Sequence, residues 1–304
     1  MAGLKKLKTK RESVNKTRKV TRAMEAVSAV KMRSAQQRAL NGRAYAAGAL
    51  NILSNLSETV DTKNHPLCSP RNDGAYGLII VTSDKGLAGA LNSSVLKKVD
   101  AFLKDEKYNG DKLIMCIGRR GHEYAQSRDL NVLSYTENKS DTVNEEDMRS
   151  ITDIAVAKHL AGETREWYVV YTNFKSTFEQ EAVIRRILPL STDTLQEVIE
   201  AIVPEIGKYS EEHKDVSSVS AYTIEPSAEN ILESVIPSLV NVVVYHALLE
   251  SKASEHSARM VAMKNATDKA GELSHELMLK FNKARQAMIT SEVSEITSGI
   301  EAMK

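Results

Sequence analysis

Proline is missing from both ends of this chain: none precedes Pro66 and none follows Pro237 in 304 residues. The residue that removes a backbone donor and clashes with the preceding turn is thus absent where a long helix would need it to be. Aromatic residues are scarce, 5% with four Phe and one Trp, although hydrophobic residues reach 42%. That balance disfavours a broad sandwich core and suits long helices rich in Ala and Met. The two cysteines, Cys68 and Cys116, do not make a disulfide framework. Cys116, in the apolar run 113–117, reads as a buried core thiol, and Cys68 reads as a free thiol in a polar loop. Reduced thiols fit a cytosolic compartment. No apolar run reaches the ~18 residues of a membrane-spanning helix. The basic start Met1-Ala2-Gly3-Leu4-Lys5-Lys6 has no apolar signal core, so the first helix is expected to begin at once, without a leader.

What is present is a long seam. Leu249, Ala253, His256, Met260, Met263, Thr267, Ala270, Ser274, Leu277, Phe281, Ala284, Met288 and Ser291 alternate steps of four and three, a heptad pattern that predicts a coiled coil. A helix of that extent is roughly 100 Å long, whereas a compact chain of this length has a radius near ~20 Å, so it is expected to project. The first helix is expected over about 4–59, where Ala23, Ala26, Ala29, Ala35 and Ala39 favour helix. Val20, Met24 and Val27, extended by Val30, offer an apolar strip for a partner. The two end helices are expected to wrap each other as an antiparallel pair.

Between them the period changes. Residues 59–74 are rich in Asp, Asn, Ser, Pro and Gly and read as a loop. Runs at 76–82, 112–117, 131–135, 167–171 and 182–188 read as strands, several of them continuously apolar, as buried parallel strands are. Helices are expected at 93–106, 121–128 and 145–160, the last opening on the acidic turn Glu145-Glu146-Asp147. A short helix at 195–202 and an edge strand at 219–224 complete the pattern. Alternating strands and helices argue an α/β sheet covered by helices. The fold class is therefore α/β: a long antiparallel coiled coil of the N- and C-terminal helices with an inserted Rossmann-like α/β domain. The expected domains are 1–59, 74–226 and 228–304.

The loop Ser83-Asp84-Lys85-Gly86-Leu87-Ala88-Gly89-Ala90-Leu91-Asn92 lies between a strand and a helix, where such sheets hold phosphates. It has neither a dinucleotide nor a P-loop glycine pattern. A nucleotide cradle and an exposed turn that touches a protein both remain open. No G-x-S-x-G, HExxH or Cys/His metal spacing occurs, and His256 and His275 read as seam or surface residues of the last helix. No constellation for catalysis, metal or cofactor emerges. Charge is uneven: residues 1–43 hold thirteen Lys and Arg against two Glu, a net of +11, so the overall +1 leaves −10 for the remainder. That basic helix suits an acidic protein partner or nucleic-acid phosphates. It has no aromatic before Tyr45 to stack on bases, and its cations surround the helix rather than forming a stripe.

Three separated motifs together resemble one family. They are SVNKTRKVTRAME at 13–25 with Lys31-Met32-Arg33, the loop SDKGLAGALN at 83–92, and ASEHSARMVAMKNATD at 253–268 followed by NKARQAMIT at 282–290. In this order and spacing they resemble the gamma subunit of F-type ATP synthases. The resemblance implies a non-catalytic central shaft without cofactor, turning inside a ring of alpha and beta subunits. Its foot rests on the c-subunit ring beside the epsilon subunit, at the cytoplasmic face of a bacterial inner membrane. It implies beta-subunit contacts at Met24, at Lys85, Gly86, Leu87 and Ala88, and at Arg285, Gln286 and Thr290, with c-ring and epsilon contacts at Tyr222 and Glu225. Many relatives carry Cys where this chain has Ala88 and Arg where it has Lys85, so thiol chemistry there is not expected. The 191–220 stretch is longer and more charged than in shorter relatives and has no cysteine, so the thiol switch of chloroplast relatives is not expected either.

Overall fold

The structure, a computed structural model, describes residues 2–59, 65–140, 145–191 and 228–303. Its elements are α1 (Ala2–Thr59), β1 (Ala75–Val81), α2 (Leu91–Lys104), β2 (Lys112–Ile117), α3 (Arg119–Gln126), β3 (Val132–Thr136), α4 (Glu145–Leu160), β4 (Thr164–Phe174), β5 (Gln180–Leu188) and α5 (Ala228–Ala302). The helix expected at 195–202 and the strand expected at 219–224 lie outside the described residues. The described chain divides into two compact units, Met1–Ser28 with Met260–Lys304, and Ala29–Arg259.

The larger unit is built on a five-stranded sheet in the order β3-β2-β1-β4-β5. β1 pairs in parallel with β2 and β4, β2 pairs in parallel with β3, and β5 returns antiparallel to β4. Both faces are covered, which is why the central strands read as unbroken apolar runs rather than alternating ones. On one face Leu78 and Ile80 meet Val95, Val99 and Phe102 of α2 and Tyr124 and Ala125 of α3. On the other, Ile79, Val81, Trp167 and Val169 meet Ile151 of α4 and Leu239, Val240, Val243 and Val244 of α5. Cys116 is in the first core and Cys68 packs beside the second; neither forms a disulfide. α5 runs through Pro237. Proline forfeits a backbone hydrogen bond there, and burial of neighbouring Ile236, Leu239 and Val240 holds the helix through it. Between β2 and α3 the chain turns at Gly118, φ 101°, where a Cβ would sit 2.1 Å from the Thr82 carbonyl oxygen; only glycine fits that position.

The smaller unit is an antiparallel helix pair. Thr267 donates to Thr21 (2.7 Å), the Arg18 guanidinium lies beside Gly271, and Ser274 donates to Asn15 (2.7 Å). As one helix number rises the other falls. The α5 seam follows the heptad pattern through Met288: Met263, Thr267, Ser274 and Leu277 are buried and Met260, Ala270, Phe281, Ala284 and Met288 half-buried, while Ser291 is exposed. On α1 the expectation fails. Val20, Val27 and Val30 are exposed, at 58%, 54% and 68%, and only Met24 of that strip is half-buried. Among the described side chains of α1 the buried ones are Thr21, Ser28, Met32 and Ala35. These keep the heptad rhythm, three of the four being small or polar, so the inward face was not the most apolar one.

Candidate functional site

The loop after β1 is the most heavily fastened surface of the sheet's carboxyl edge. The Ser83 amide donates to Asn92 Oδ1 (3.0 Å), Asn92 Nδ2 donates to Ser83 Oγ (2.8 Å), and that hydroxyl donates to the Lys85 carbonyl (2.7 Å). Asp84 Oδ1 accepts the Arg119 amide (2.6 Å) at the start of α3, an arrangement the helix dipole favours. Asn138, after β3, donates to the Thr82 carbonyl (2.7 Å), and the buried Lys252 of α5 donates to the Asn138 carbonyl (2.6 Å). Arg259, the last residue of this unit, is held by Glu255 (2.6 Å) and donates through Nε and Nη2 to the Gly86 carbonyl (3.4 Å each). Leu87 sits at φ 64°, a conformation that costs a residue bearing a Cβ about 1 kcal/mol or more.

The consequence is a rigid loop with its own polar groups turned inward. Lys85, Gly86 and Leu87 face solvent, Leu87 at 62% exposure, while Ala88 is buried. Lys85 has no ion-pair partner among the described residues. The Ser83 hydroxyl and the Asn92 carboxamide, the side chains a phosphate would engage, bond to each other and to the loop. This geometry suits a protein-facing turn better than a nucleotide cradle. Among the described residues no group of three or more His, Cys, Asp or Glu side chains is placed to hold a metal ion, and no helix is long and apolar enough to cross a membrane.

In the smaller unit Met24 is half-buried, and Arg285, Gln286 and Thr290 are exposed, with the Thr290 hydroxyl bonded back to the Gln286 carbonyl (3.0 Å). Beyond them Ile289, Val293, Ile296, Ile300 and Met303 are all exposed at steps of four and three, an apolar stripe with no partner helix against it among the described residues. Tyr222 and Glu225 lie outside the described residues. Sequence reading singled out His256 only as a seam or surface residue; it is buried, with Nδ1 3.5 Å from Arg259 Nη1, whereas His275 is exposed. It missed Arg259 as the clamp on Gly86, although a basic residue four after Glu255 on one helix is a readable pair. It also missed the buried pair His246 and Glu250, set in an otherwise apolar stretch of α5.

A protein-family model described as ATP synthase matches residues 3–303. The chain is similar to the ATP synthase gamma chain of Methylobacillus flagellatus, 39% identical over 305 residues covering all of both chains. It is also similar to the ATP synthase gamma chain of Cupriavidus metallidurans, 38% identical over 304 residues, again covering both completely. Among solved structures it resembles a chain of the Euglena gracilis mitochondrial ATP synthase OSCP/F1/c-ring assembly, with TM-score 0.65 and 18% identity over 99% of this chain and 95% of that one. It also resembles a chain of the central stalk/c-ring of the Tetrahymena thermophila mitochondrial ATP synthase, with TM-score 0.58 and 25% identity over 81% of this chain and 99% of that one. With the family matched from end to end and relatives of equal length, the chain belongs to the ATP synthase gamma chain family.

Proposed function

We propose that this chain is the central rotor shaft of an F-type ATP synthase. It couples proton-driven rotation of the membrane c ring to ATP synthesis at the beta-subunit sites by driving their conformational changes. It has no catalytic site or cofactor of its own. Its partners are the alpha and beta subunits, the epsilon subunit and the c ring, and it works as a peripheral subunit at the cytoplasmic face of a bacterial inner membrane.

The observation that carries this reading is the smaller unit. Its two helices pair through Thr, Ser, Asn, Gly and Arg, and its β-branched residues Val20, Val27, Ile289, Val293, Ile296 and Ile300 are exposed. Such a surface needs an enclosing partner. A shaft can shift the equilibrium of a surrounding site only by contacting its conformers differently, and two dissimilar helices present different faces around their circumference. Met24, the solvent-facing Lys85, Gly86 and Leu87, and the exposed Arg285, Gln286 and Thr290 are the beta contacts, each within reach of a partner. The buried Ala88 acts by shaping the loop. Tyr222 and Glu225 serve the c ring and epsilon.

Co-expression with alpha and beta subunits, followed by sizing and an ATPase assay, tests the reading. One large complex with a single copy of this chain and ATPase activity is expected, with no turnover by the chain alone. Elution of the chain by itself, where alpha and beta assemble with another gamma chain, refutes it. Arg285→Ala with Gln286→Ala should assemble poorly or lose torque while Trp167 emission stays native; normal coupling removes those contacts from the proposal.

A further inference from the structure

In an open α/β sheet a ligand binds at the carboxyl edge, in the crevice where the strand order reverses. In the order β3-β2-β1-β4-β5 that point lies between β1 and β4, and here α5 is bonded to both sides of it. From His246 to Ser257 every residue of α5 is buried, whereas a helix packed on one side buries a single stripe. From Ser251 to Ser257 all but Ala253 are polar. Polar side chains buried in this way are tolerated when they are hydrogen-bonded.

The bonds leave α5 from opposite faces. Lys252 donates to the Asn138 carbonyl after β3 (2.6 Å), and Arg259 Nη2 to the Gly86 carbonyl after β1 (3.4 Å). Ser254 donates to the Thr172 carbonyl of β4 (3.1 Å), and Ser257 to the Thr177 carbonyl of the β4–β5 turn (2.6 Å). At ~3.6 residues per turn, Lys252 and Arg259 stand within about 20° of each other around the helix axis and Ser254 and Ser257 within about 60°, the two pairs facing roughly opposite ways. One pair therefore holds the β1 and β3 side of the crevice and the other the β4 and β5 side. All four acceptors are backbone carbonyls, whose positions are set by the strands and turns that carry them.

We propose that Lys252, Ser254, Ser257 and Arg259 are positioning residues that lock α5 against rotation about its own axis, so that the sheet and α5 turn as one. The proposal rests on the reading of this chain as a rotor shaft and names where the shaft helix is gripped. Apolar burial is non-directional, whereas a hydrogen bond weakens steeply away from its preferred angle. Twisting α5 in the crevice would strain bonds on both of its faces at once. Earlier on α5, Leu239, Val240, Val243 and Val244 meet the sheet through apolar contact, which holds the helix down with less resistance to twist. Past the grip α5 runs on to Ala302, so a torque on the sheet passes into the rest of α5 through this stretch.

The test uses the complex with alpha and beta subunits, immobilised through those subunits, with a bead on the larger unit attached through Glu106→Cys, an exposed position. Burial pushes the native Cys68 thiol up to about 11 and Cys116 up to about 12, so the introduced thiol dominates labelling. The angular variance of the bead in a stalled complex reads torsional stiffness. Ser254→Ala with Ser257→Ala removes one pair of bonds and should raise that variance by a factor approaching about two. Val243→Ala, which thins the apolar contact alone, should lower the urea midpoint read by Trp167 emission and leave the variance at the wild-type value. Wild-type variance in the serine variant, or equal widening in both variants, overturns the grip, while a bead turned by ATP keeps the shaft reading. A wild-type bead that ATP does not turn overturns the shaft reading and the grip with it. If the double variant does not assemble, Ser257→Ala alone is read by the same criteria.

Discussion

Replacing Glu250 by Gln should remove a loss of stability above neutral pH. Glu250 lies on the face of α5 that covers the sheet, buried, with His246 one turn before it and Tyr171 of β4 and Arg185 of β5 facing it. Burial pushes its carboxyl up to about 8, against the opposing pull of Arg185 and a hydrogen bond from Tyr171. Burial, with the Arg185 charge, pushes His246 down to about 3. His246 Nδ1 and Glu250 Oε1 are 3.7 Å apart, but near neutral pH both side chains are uncharged, so the contact is not an ion pair. Among the described residues Glu250 Oε2 and His246 Nε2 have no hydrogen-bond partner.

The two groups act with opposite sign. Below the ordinary value of 4.5 Glu250 is protonated in both states and contributes nothing; from there up to about 8 the unfolded chain ionises and the fold does not, so stability falls with pH. His246 behaves in reverse: from 6.5 down to about 3 the unfolded chain takes up a proton that the fold refuses, so stability rises with pH across that window. Where the windows overlap, 4.5 to 6.5, the slopes offset. Above 6.5 only Glu250 acts, at about 1.4 kcal/mol per pH unit, which gives a loss of roughly 2 kcal/mol by pH 8. In Glu250→Gln the loss above 6.5 should vanish and only the histidine rise below it should remain. Urea titrations at a series of pH values, read by Trp167 emission, measure this; Trp167 is the sole tryptophan and is fully buried in the core that α5 closes. Parallel pH profiles for the two proteins above pH 6.5 would refute the reasoning.

Gly77→Ala should destabilise the larger unit by about 3 kcal/mol or more, because overpacking against a rigid ring forces backbone movement. The added Cβ would fall 2.1 Å from Trp167 Cδ2, on the neighbouring strand in register with it; an unchanged urea midpoint would show that the indole moves freely. In the smaller unit Thr21→Val alone should cost about 1 kcal/mol by taking the partner from the buried Thr267 hydroxyl. The single Thr267 hydroxyl proton then turns to the Met263 carbonyl (2.8 Å), and Thr21→Val with Thr267→Val should return near to wild type. Equal loss in the single and double variants, by helical circular dichroism in urea, would separate the pair from stability.

Much of the fold was legible because its signals are local. Proline-free ends, a four-three seam and apolar runs punctuated by Gly, Pro and Asn state helix and strand directly. The ends of β4 were not, since Thr164, Glu166 and Asn173 are polar yet belong to an 11-residue strand held by pairing on both sides. The α1 valines misled for a clear reason: apolar spacing identifies a face, not what covers it. The 83–92 loop was visible as a motif, but its fastening was not. The bond from Arg259 to Gly86 spans 173 residues, and that from Ser257 to the Thr177 carbonyl spans 80. No local pattern encodes either.

The valines also bear on mechanism. A coiled coil that must stand alone sets its β-branched and leucine residues at the seam and its charges outside. The smaller unit does the reverse at several positions: Thr21 pairs with Thr267 and Asn15 with Ser274 inside, while Val20, Val27, Ile289, Val293, Ile296 and Ile300 are exposed. Hydrogen bonds between the helices are directional and fix their register. Apolar contact with a surrounding ring is non-directional, so it demands no exact alignment of groups as the angle of the shaft changes. Directional bonds in the same outward positions would favour a few angles and hold the shaft there. The placement of polar groups within the pair and apolar groups outside it is therefore what a turning part requires, and it is the opposite of what stability of the isolated pair would select.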